Sequence, residues 1–566
     1  MTYAARHGSE GTPPVDGHAQ DLIDAAQEWV DDDPDHDTRV ELGQILARAK
    51  KGDERSVADL EDRFSGMLEF GTAGLRGALG AGPHRMNRSV VIRAAAGLAA
   101  YLRSSVPEPF VVVGYDARTK SDVFARDTAA VTVGSGGHAA VLPHTLPTPV
   151  LAFAIRFLGA DAGVMVTASH NPPEDNGYKV YLGDGSQIVP PADADIAGQI
   201  SRISAVADVP LADDGWQTLG DDVLEAYLDA TAGVVATGSP RDLAIVHTAL
   251  HGVGSDTLLS VFERAGFPAP VPVRSQQHPD AAFPTVSFPN PEEPGAIDAA
   301  LDLARQIGPD IVLANDPDAD RCAAAVPADG DWRMLRGDEV GALLGAHILA
   351  RGVEPDAVFA NSIVSSRLLA AMSAKAGIRH EETLTGFKWI ARVEGLRYGY
   401  EEALGYCVDP GQVRDKDGIS AALLLAELAA TVKAQGRTLQ DVLDDLAVEH
   451  GVHATDSFSV RVADLSLIGE VMARLRDQPP AEVAGLAVSR TDDLALGSAA
   501  LPPTDGLRYH LEEDSRIIVR PSGTEPKLKV YLEVIEPASS DLTTARKVAA
   551  QRLTAIRTAM EGLTRL

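Results

Sequence analysis

Two cysteines in 566 residues, Cys322 and Cys407, are too few for a disulfide framework and lack the spacing of a zinc site. Their scarcity points to a reducing compartment, the cytoplasm. Long apolar runs are missing as well. The first twenty residues are polar and hold two prolines, and no later stretch continues far enough without charge to span a bilayer, so the expectation is a protein neither exported nor embedded. Basic charge is short: 50 Lys and Arg stand against 81 Asp and Glu, a net charge of -31. A field of that sign opposes nucleic acid and anionic membrane surfaces as partners. An anionic substrate must then be captured by a local basic island, which makes the stretch from Arg520 to Lys529 informative. No large low-complexity tract argues for disorder, and 45% hydrophobic with 23% charged residues are ordinary globular values.

At this length one hydrophobic core does not suffice, and usual domain sizes make three or four domains the natural count. Residues 1 to about 20 read as a flexible tail, and 21–32 have the periodicity of an acidic amphipathic helix. In FGTAGLRG (70–77) glycines around Arg76 suggest a tight loop that brings backbone and a guanidinium near a ligand. A helix pattern over 87–105 leads to an apolar strand, PFVVVGYDAR, ending in Tyr115, Asp116 and Arg118. The plan recurs: DAGVMVTASHNP runs to Ser169, LAIVHTALHGVG to His251 and glycines, DIVLANDPDADR to an acidic cluster. Apolar strands followed by polar loops and then helices are the pattern of parallel α/β sheets, whose ligands gather beyond the carboxyl ends of the strands. Further helices are expected over 338–351, with Asp338 as N-cap, over 419–435, closed by Gly436, and over 542–566. RIIVRPSGTEPKLKVYLEV reads as two strands around a glycine turn. The expected division is 1–50 (tail and helix), 51–237, 238–345, 346–455 and 456–566.

Three stretches carry chemistry. In TASHNP (167–172), Ser169 sits in a polar turn closed by Asn171, Pro172 and Pro173, so it should leave the helix and be exposed, as suits a nucleophile. A hydrolase elbow needs Gly-x-Ser-x-Gly, but Thr167 and Asn171 occupy those glycine positions, and adjacent His170 is poorly placed as a base. In DPDADR (316–321) carboxylates fall at every second position, the ligand type of a hard cation such as Mg2+. An EF-hand would need glycine where Arg321 stands and glutamate where Pro327 stands. An aspartate-nucleophile phosphatase would have threonine or valine in place of Asp320. What remains is a cation on Asp316, Asp318 and Asp320 with an open position for a phosphate oxygen, against a solvated acidic turn. RPSGTEPK combines Arg520, Ser522, Gly523, Thr524 and Lys527, by composition a phosphate cradle or else a basic hairpin. Lys179 and Arg118 could add positive charge.

With these residues in hand the chain, from about Phe70 to its C-terminal segment, resembles the α-D-phosphohexomutase superfamily, which includes phosphoglucomutases and phosphomannomutases. TASHNP looks like its phosphoserine loop, DPDADR like its magnesium loop and RPSGTEPK like its phosphate-binding loop, in the family's order. FGTAGLRGALGAGPHRMN, TLTGFKWI and GYEEALGY further resemble the branch of phosphoglucomutases and phosphopentomutases. One departure stands out: many hexomutases have Glu-x-Ser in the sugar-recognition loop, and Glu401-Glu402-Ala403 lacks the serine hydroxyl.

The resemblance implies four domains around a central cleft, three related α/β domains with mixed sheets and a smaller C-terminal α+β domain. It implies an intramolecular phosphotransferase, an isomerase. Phosphoserine 169 gives its phosphoryl group to a small sugar monophosphate, and a bisphosphate turns over in the cleft. Phosphate thus moves between C1 and C6 of glucose or mannose phosphate, or between C1 and C5 of a pentose phosphate. Mg2+ would lie on Asp316, Asp318, Asp320 and a Ser169 phosphoryl oxygen, with a sugar bisphosphate such as glucose 1,6-bisphosphate as activator. Lys179 and Arg76 match positions near the phosphoserine. His170 and Arg321 would hold the reacting substrate, Gly386, Lys388 and Glu401 the sugar, and Arg520, Ser522, Gly523, Thr524 and Lys527 the non-reacting phosphate. The fourth domain should move as the intermediate reorients. A monomer or small homo-oligomer is expected. A sugar-phosphate binding protein without turnover is the reading from another class.

Overall fold

A computed structural model describes residues 17–71, 74–328, 330–462, 466–522, 527–538 and 541–565. The chain forms two compact units. One comprises residues up to 145 with 157–183 and 187–221, and the other 146–156, 184–186 and 222–566.

The first unit begins with three helices, Gly17–Asp32, His36–Ala49 and Glu54–Arg63. The first starts at Gly17, within the stretch expected as tail, and residues 1–16 lie outside the described residues. Ile23, Ala26, Leu42, Ile45, Leu46 and Leu60 form a small core among the three. A six-stranded sheet follows in the order Leu75–Ala78, Asp175–Leu182, Ala162–Val166, Phe110–Tyr115, His138–Val141, Gln217–Thr218. Asp175–Leu182 pairs antiparallel with both of its neighbours, and the pairings from Ala162–Val166 onward are parallel. Helix Arg88–Arg103 begins where Asn87 accepts a hydrogen bond from the Val90 N–H, and its apolar positions Val90, Val91, Ala94 and Leu98 join Val111, Val113, Val164 and Val166 in the core.

The second unit holds three sheets. Strands Val271–Pro272, Ile245–Thr248 and Ile311–Ala314 run parallel, and Ala323–Ala328 and Asp331–Met334 add an antiparallel edge. Arg379–Thr383, Val358–Ser362 and Leu396–Glu401 repeat the plan, closed by antiparallel Gly405–Cys407. The last sheet is wholly antiparallel, in the order Val452–Arg461, Lys527–Glu536, Arg516–Pro521, Leu507–Leu511, Leu486–Asp493, Glu482–Val483, with helix Leu542–Leu563 packed on it. Among the described residues no single helix is long and apolar enough to cross a membrane.

One expected cap is wrong. The helix predicted to start at Asp338 is Gly337–Ala350, with Arg336 at its N-cap position. Asp338 turns away because its carboxylate accepts the Ser366 N–H at 2.7 Å and the Tyr400 hydroxyl at 3.0 Å. Helix Gly418–Ala434 is capped instead by Asp417, whose carboxylate takes the N–H groups of Ile419 and Ser420.

That helix is almost entirely buried and carries one ionisable side chain into the interior, Glu427. Its oxygens accept from the Ala236 N–H, the Ser239 hydroxyl, His347 Nε2 at 2.8 Å and Arg351 at 3.0 Å. Burial by itself would raise its pKa, but the bonds from His347, Ser239 and Ala236 and the Arg351 charge outweigh it and hold it down at about 2, against an ordinary 4.5. A depressed folded pKa gives stability that is present above the unfolded value and is lost as pH falls toward the folded one. The shift corresponds to about 3 kcal/mol. Glu427→Gln is therefore expected to lower unfolding free energy by about that much at pH 7. In urea titrations the gap from wild type should close between about pH 4.5 and 2, and a gap independent of pH would contradict the assignment.

Candidate functional site

In the first unit the sequence brings two loops to the carboxyl edge of the parallel strands, one after Tyr115 that leads into a helix and one after Val166 that leads into strand Asp175–Leu182. Arg118, from the first, is the template for the second. Its guanidinium donates to the backbone carbonyls of Ser169 at 2.6 Å, Asn171 at 2.5 Å, Pro172 at 2.8 Å and Asp175 at 3.1 Å. Both its side chain and that of Asp116, 3.5 Å away, are only 1% exposed. Asp116 in turn accepts from the Arg118 N–H and the Ser121 hydroxyl. Burial raises the Asp116 pKa and the Arg118 charge opposes it.

Ser169 is held in the left-handed region, φ 52°, and its N–H donates to Thr167 Oγ1 at 2.9 Å. The expectation that it would be exposed is corrected: the residue is 3% exposed, because the turn closes on a buried guanidinium instead of projecting into water. A second correction concerns His170. Its Nδ1 lies 3.2 Å from Ser169 Oγ, within hydrogen-bond reach. Arg76, on strand Leu75–Ala78, donates to Asn171 Oδ1 at 3.2 Å, and Lys179 is buried on strand Asp175–Leu182. Ser169 and His170 thus lie in one hydrogen-bonded loop, onto which Arg76 donates from strand Leu75–Ala78. Gly74, φ 78°, must be glycine because a Cβ there would sit 1.8 Å from the Tyr178 carbonyl oxygen.

In the second unit strand Ile311–Ala314 ends in the acidic loop. Asp316, Asp318 and Asp320 are each 0% exposed, and one oxygen from each lies within 4.8 Å of the others. Burial, then the charges of Asp318 and Asp320, push the Asp316 pKa well up. Three carboxylates cannot all stay ionised in such a place without a compensating cation. Groups within the protein supply part of that compensation. Lys416 Nζ is 3.1 Å from Asp320, Arg321 Nε is 3.8 Å from both Asp316 and Asp320, and the Thr148 hydroxyl donates to Asp318 at 2.6 Å. An all-oxygen donor set with surplus negative charge fits a hard divalent cation. The loop is clasped by backbone: a Cβ on Gly252 would lie 2.2 Å from Pro317, and one on Gly418 2.1 Å from the Arg321 carbonyl oxygen.

The same unit carries the remaining expected residues. Glu401 closes strand Leu396–Glu401; burial raises its pKa and Lys416 opposes that. Its loop is tied to the acidic one, since the Cys322 N–H donates to Leu404 O and Arg321 forms a bridge with Gly405. Gly386 opens the short helix Phe387–Ile390, and Lys388 lies 5.9 Å from the Trp389 ring. Arg520 pairs with Lys529 across the hairpin, whose neck is closed by the Ser522 N–H on Lys527 O at 2.8 Å. Gly523 and Thr524 lie outside the described residues. Sequence reading missed Lys416 and Thr148, both of which touch the aspartates; neither lies in a motif, and only the fold brings them there.

Four family models match the chain. They are described as phosphoglucomutase/phosphomannomutase alpha/beta/alpha domain I over residues 67–207, domain II over 225–330, domain III over 336–449 and the C-terminal domain over 460–550. A probable phosphomannomutase of Haemophilus influenzae is 50% identical over 79% of this chain and 93% of its own. A probable phosphoribomutase of Schizosaccharomyces pombe is 36% identical over 92% of this chain and 94% of its own. A crystal structure of a phosphoglucomutase/phosphomannomutase family protein from Burkholderia thailandensis shares the fold, with a TM-score of 0.66 and 20% identity over 86% of this chain and 96% of that one.

Arg118→Lys is expected to destabilise the protein by about 3 kcal/mol, because an ammonium cannot span four carbonyls and the buried Asp116 loses its planar partner. Urea unfolding measures it, and a change below about 0.5 kcal/mol would show that the loop does not depend on the guanidinium.

Proposed function

The chain belongs to the phosphoglucomutase/phosphomannomutase family, and we propose that it moves phosphate between C1 and C6 of a hexose, glucose or mannose phosphate, through a phosphoserine at Ser169 and a bisphosphate intermediate. The observation that supports this most is the Ser169 loop itself. A serine held at positive φ by four carbonyl contacts to one buried arginine is a preorganised hydroxyl, not a solvated turn.

Each step balances. The Ser169 Oγ–P bond breaks as the free sugar hydroxyl takes the phosphoryl group; a nearby base accepts the hydroxyl proton and the freed Oγ takes one up. After the bisphosphate turns over, the other phosphate returns to Oγ and the proton is restored. His170, 3.2 Å from Oγ, and Lys179 are the candidates for carrying that proton. Arg76 braces the loop through Asn171. Mg2+ on Asp316, Asp318 and Asp320 would offset the charge spread over the phosphoryl oxygens in transfer. Arg321 and Lys416, beside those aspartates, keep the rest of the charge balanced. Glu401 grips sugar hydroxyls, with Gly386 and Lys388 on the same sugar. Arg520, Ser522 and Lys527, with Gly523 and Thr524, take the non-reacting phosphate, and guanidinium, ammonium and hydroxyl donors suit a phosphate dianion.

A pentose phosphate, moved between C1 and C5, is the second reading. It is supported by Ala403, which has no hydroxyl to offer a sugar, and by the likeness to a protein named probable phosphoribomutase.

Phosphorus NMR of glucose 1-phosphate, mannose 1-phosphate and ribose 1-phosphate, each with enzyme, Mg2+ and a trace of glucose 1,6-bisphosphate, tests the proposal. At least one should convert to its 6- or 5-phosphate, and Ser169→Ala should abolish conversion with the fold intact by circular dichroism. Near wild-type turnover in that variant would overturn the role of Ser169. Asp318→Asn should weaken Mg2+ activation at least about tenfold in midpoint, since one anionic ligand is lost, and an unchanged midpoint would remove the cation from these aspartates.

A further inference from the structure

The two glutamates of the sugar-recognition loop have different surroundings. Glu401 belongs to the side of Lys416 and Arg321, whose charges oppose the rise that burial imposes on its pKa. Glu402, one residue on, lines a cavity of about 290 Å³, near the lower bound of small-ligand clefts at about 300 Å³. Tyr531, Glu292, Val364 and Arg336 are on its other walls. Tyr531 pairs with Ile518 in the same hairpin in which Arg520 pairs with Lys529, so the cavity borders the strands that end in the expected phosphate-binding turn.

Glu402 is fixed as a functional side chain is fixed. Ser362 and Ser365 hydroxyls both donate to the same oxygen, Oε2, each at 3.1 Å, and stand 2.9 Å from one another. The Glu402 N–H donates back to Ser365 Oγ at 3.1 Å. Its carbonyl oxygen is pinned from the opposite side by Gly337, where a Cβ would lie 1.8 Å away. The serines are themselves held: Arg516, 3% exposed, donates to the carbonyls of Ile363 at 3.0 Å and Ser365 at 2.6 Å and pairs with Glu533 at 2.9 Å. Oε1 of Glu402 accepts no hydrogen bond from the described residues. A carboxylate anchored through one oxygen on a cavity wall presents the other to a hydroxyl donor.

We infer that Glu402 is a sugar-contacting, specificity-determining residue. Its Oε1 accepts a ring hydroxyl of the substrate, in the loop where Ala403 supplies none. Ser362 and Ser365 are its positioning residues, and Arg516 sets those serines from the strand that carries Arg520. This rests on the phosphosugar mutase reading. A charged acceptor for one hydroxyl should penalise the sugar lacking it by about 10- to 100-fold.

The test is kcat/KM for glucose 1-phosphate and its 2-deoxy, 3-deoxy and 4-deoxy analogues, or for ribose 1-phosphate and its deoxy analogues if the pentose is faster. Wild type, Glu402→Gln and Ser365→Ala are compared. One deoxy analogue should be penalised about 10- to 100-fold by wild type, and that penalty should shrink to about threefold or less in Glu402→Gln and to an intermediate value in Ser365→Ala. A mutation that only loosens the fold would slow all analogues alike and leave the ratios unchanged. Unchanged ratios in an active wild-type background overturn the role of Glu402 alone. If Glu402→Gln does not fold, Ser365→Ala decides by the same ratio. An inert wild type on every sugar phosphate sinks the mutase reading and this role with it.

Discussion

Three carboxylates with no exposure to water, Asp316, Asp318 and Asp320, impose the strongest constraint on the second unit. Burial without pairing drives a carboxyl toward its neutral form, as the raised pKa of Asp316 records. The surrounding architecture answers that cost. Lys416 comes from the segment before helix Gly418–Ala434, Thr148 from a helix otherwise distant in sequence, and Arg321 from the loop itself. Gly252 and Gly418 let two further backbones close to within contact distance. Such a loop is positioned by its own contacts, as a preorganised ligand site requires.

The first unit solves a related problem with the opposite sign. There the buried charge is a guanidinium, Arg118, and its compensation is one carboxylate, Asp116, together with four carbonyl oxygens of the loop that carries Ser169. Because a guanidinium presents its donors in a fixed plane, the carbonyls it collects are fixed relative to one another. The serine's left-handed backbone follows from that wrapping. In both units a functional loop is shaped less by its own residues than by a buried ion it must satisfy.

Most of the α/β architecture was legible because apolar strands ending in polar loops are a local pattern, as in DAGVMVTASHNP and DIVLANDPDADR. Helix ends were less so. Asp338 has the right chemistry for an N-cap, yet Ser366 and Tyr400, distant in sequence, claim its carboxylate. Burial was misread at Ser169 for the same reason: polar and proline-closed letters describe a turn but not which buried group the turn encloses. Lys416, Thr148, Ser362 and Ser365 carried no motif at all, and their contacts with Asp320, Asp318 and Glu402 exist only through chain reversals tens to hundreds of residues long.

The sequence by itself determined the chemistry available: a serine between Ala168 and His170, three alternating aspartates, a basic hairpin, and an acidic balance that makes such a hairpin conspicuous. These are properties of neighbouring letters, set by side-chain type and spacing. Only the tertiary structure decided which groups are buried, which charge compensates which, and that Glu401 and Glu402, adjacent in the chain, serve different surroundings. Burial and electrostatic pairing depend on distances between residues far apart along the chain, and those distances are fixed by packing.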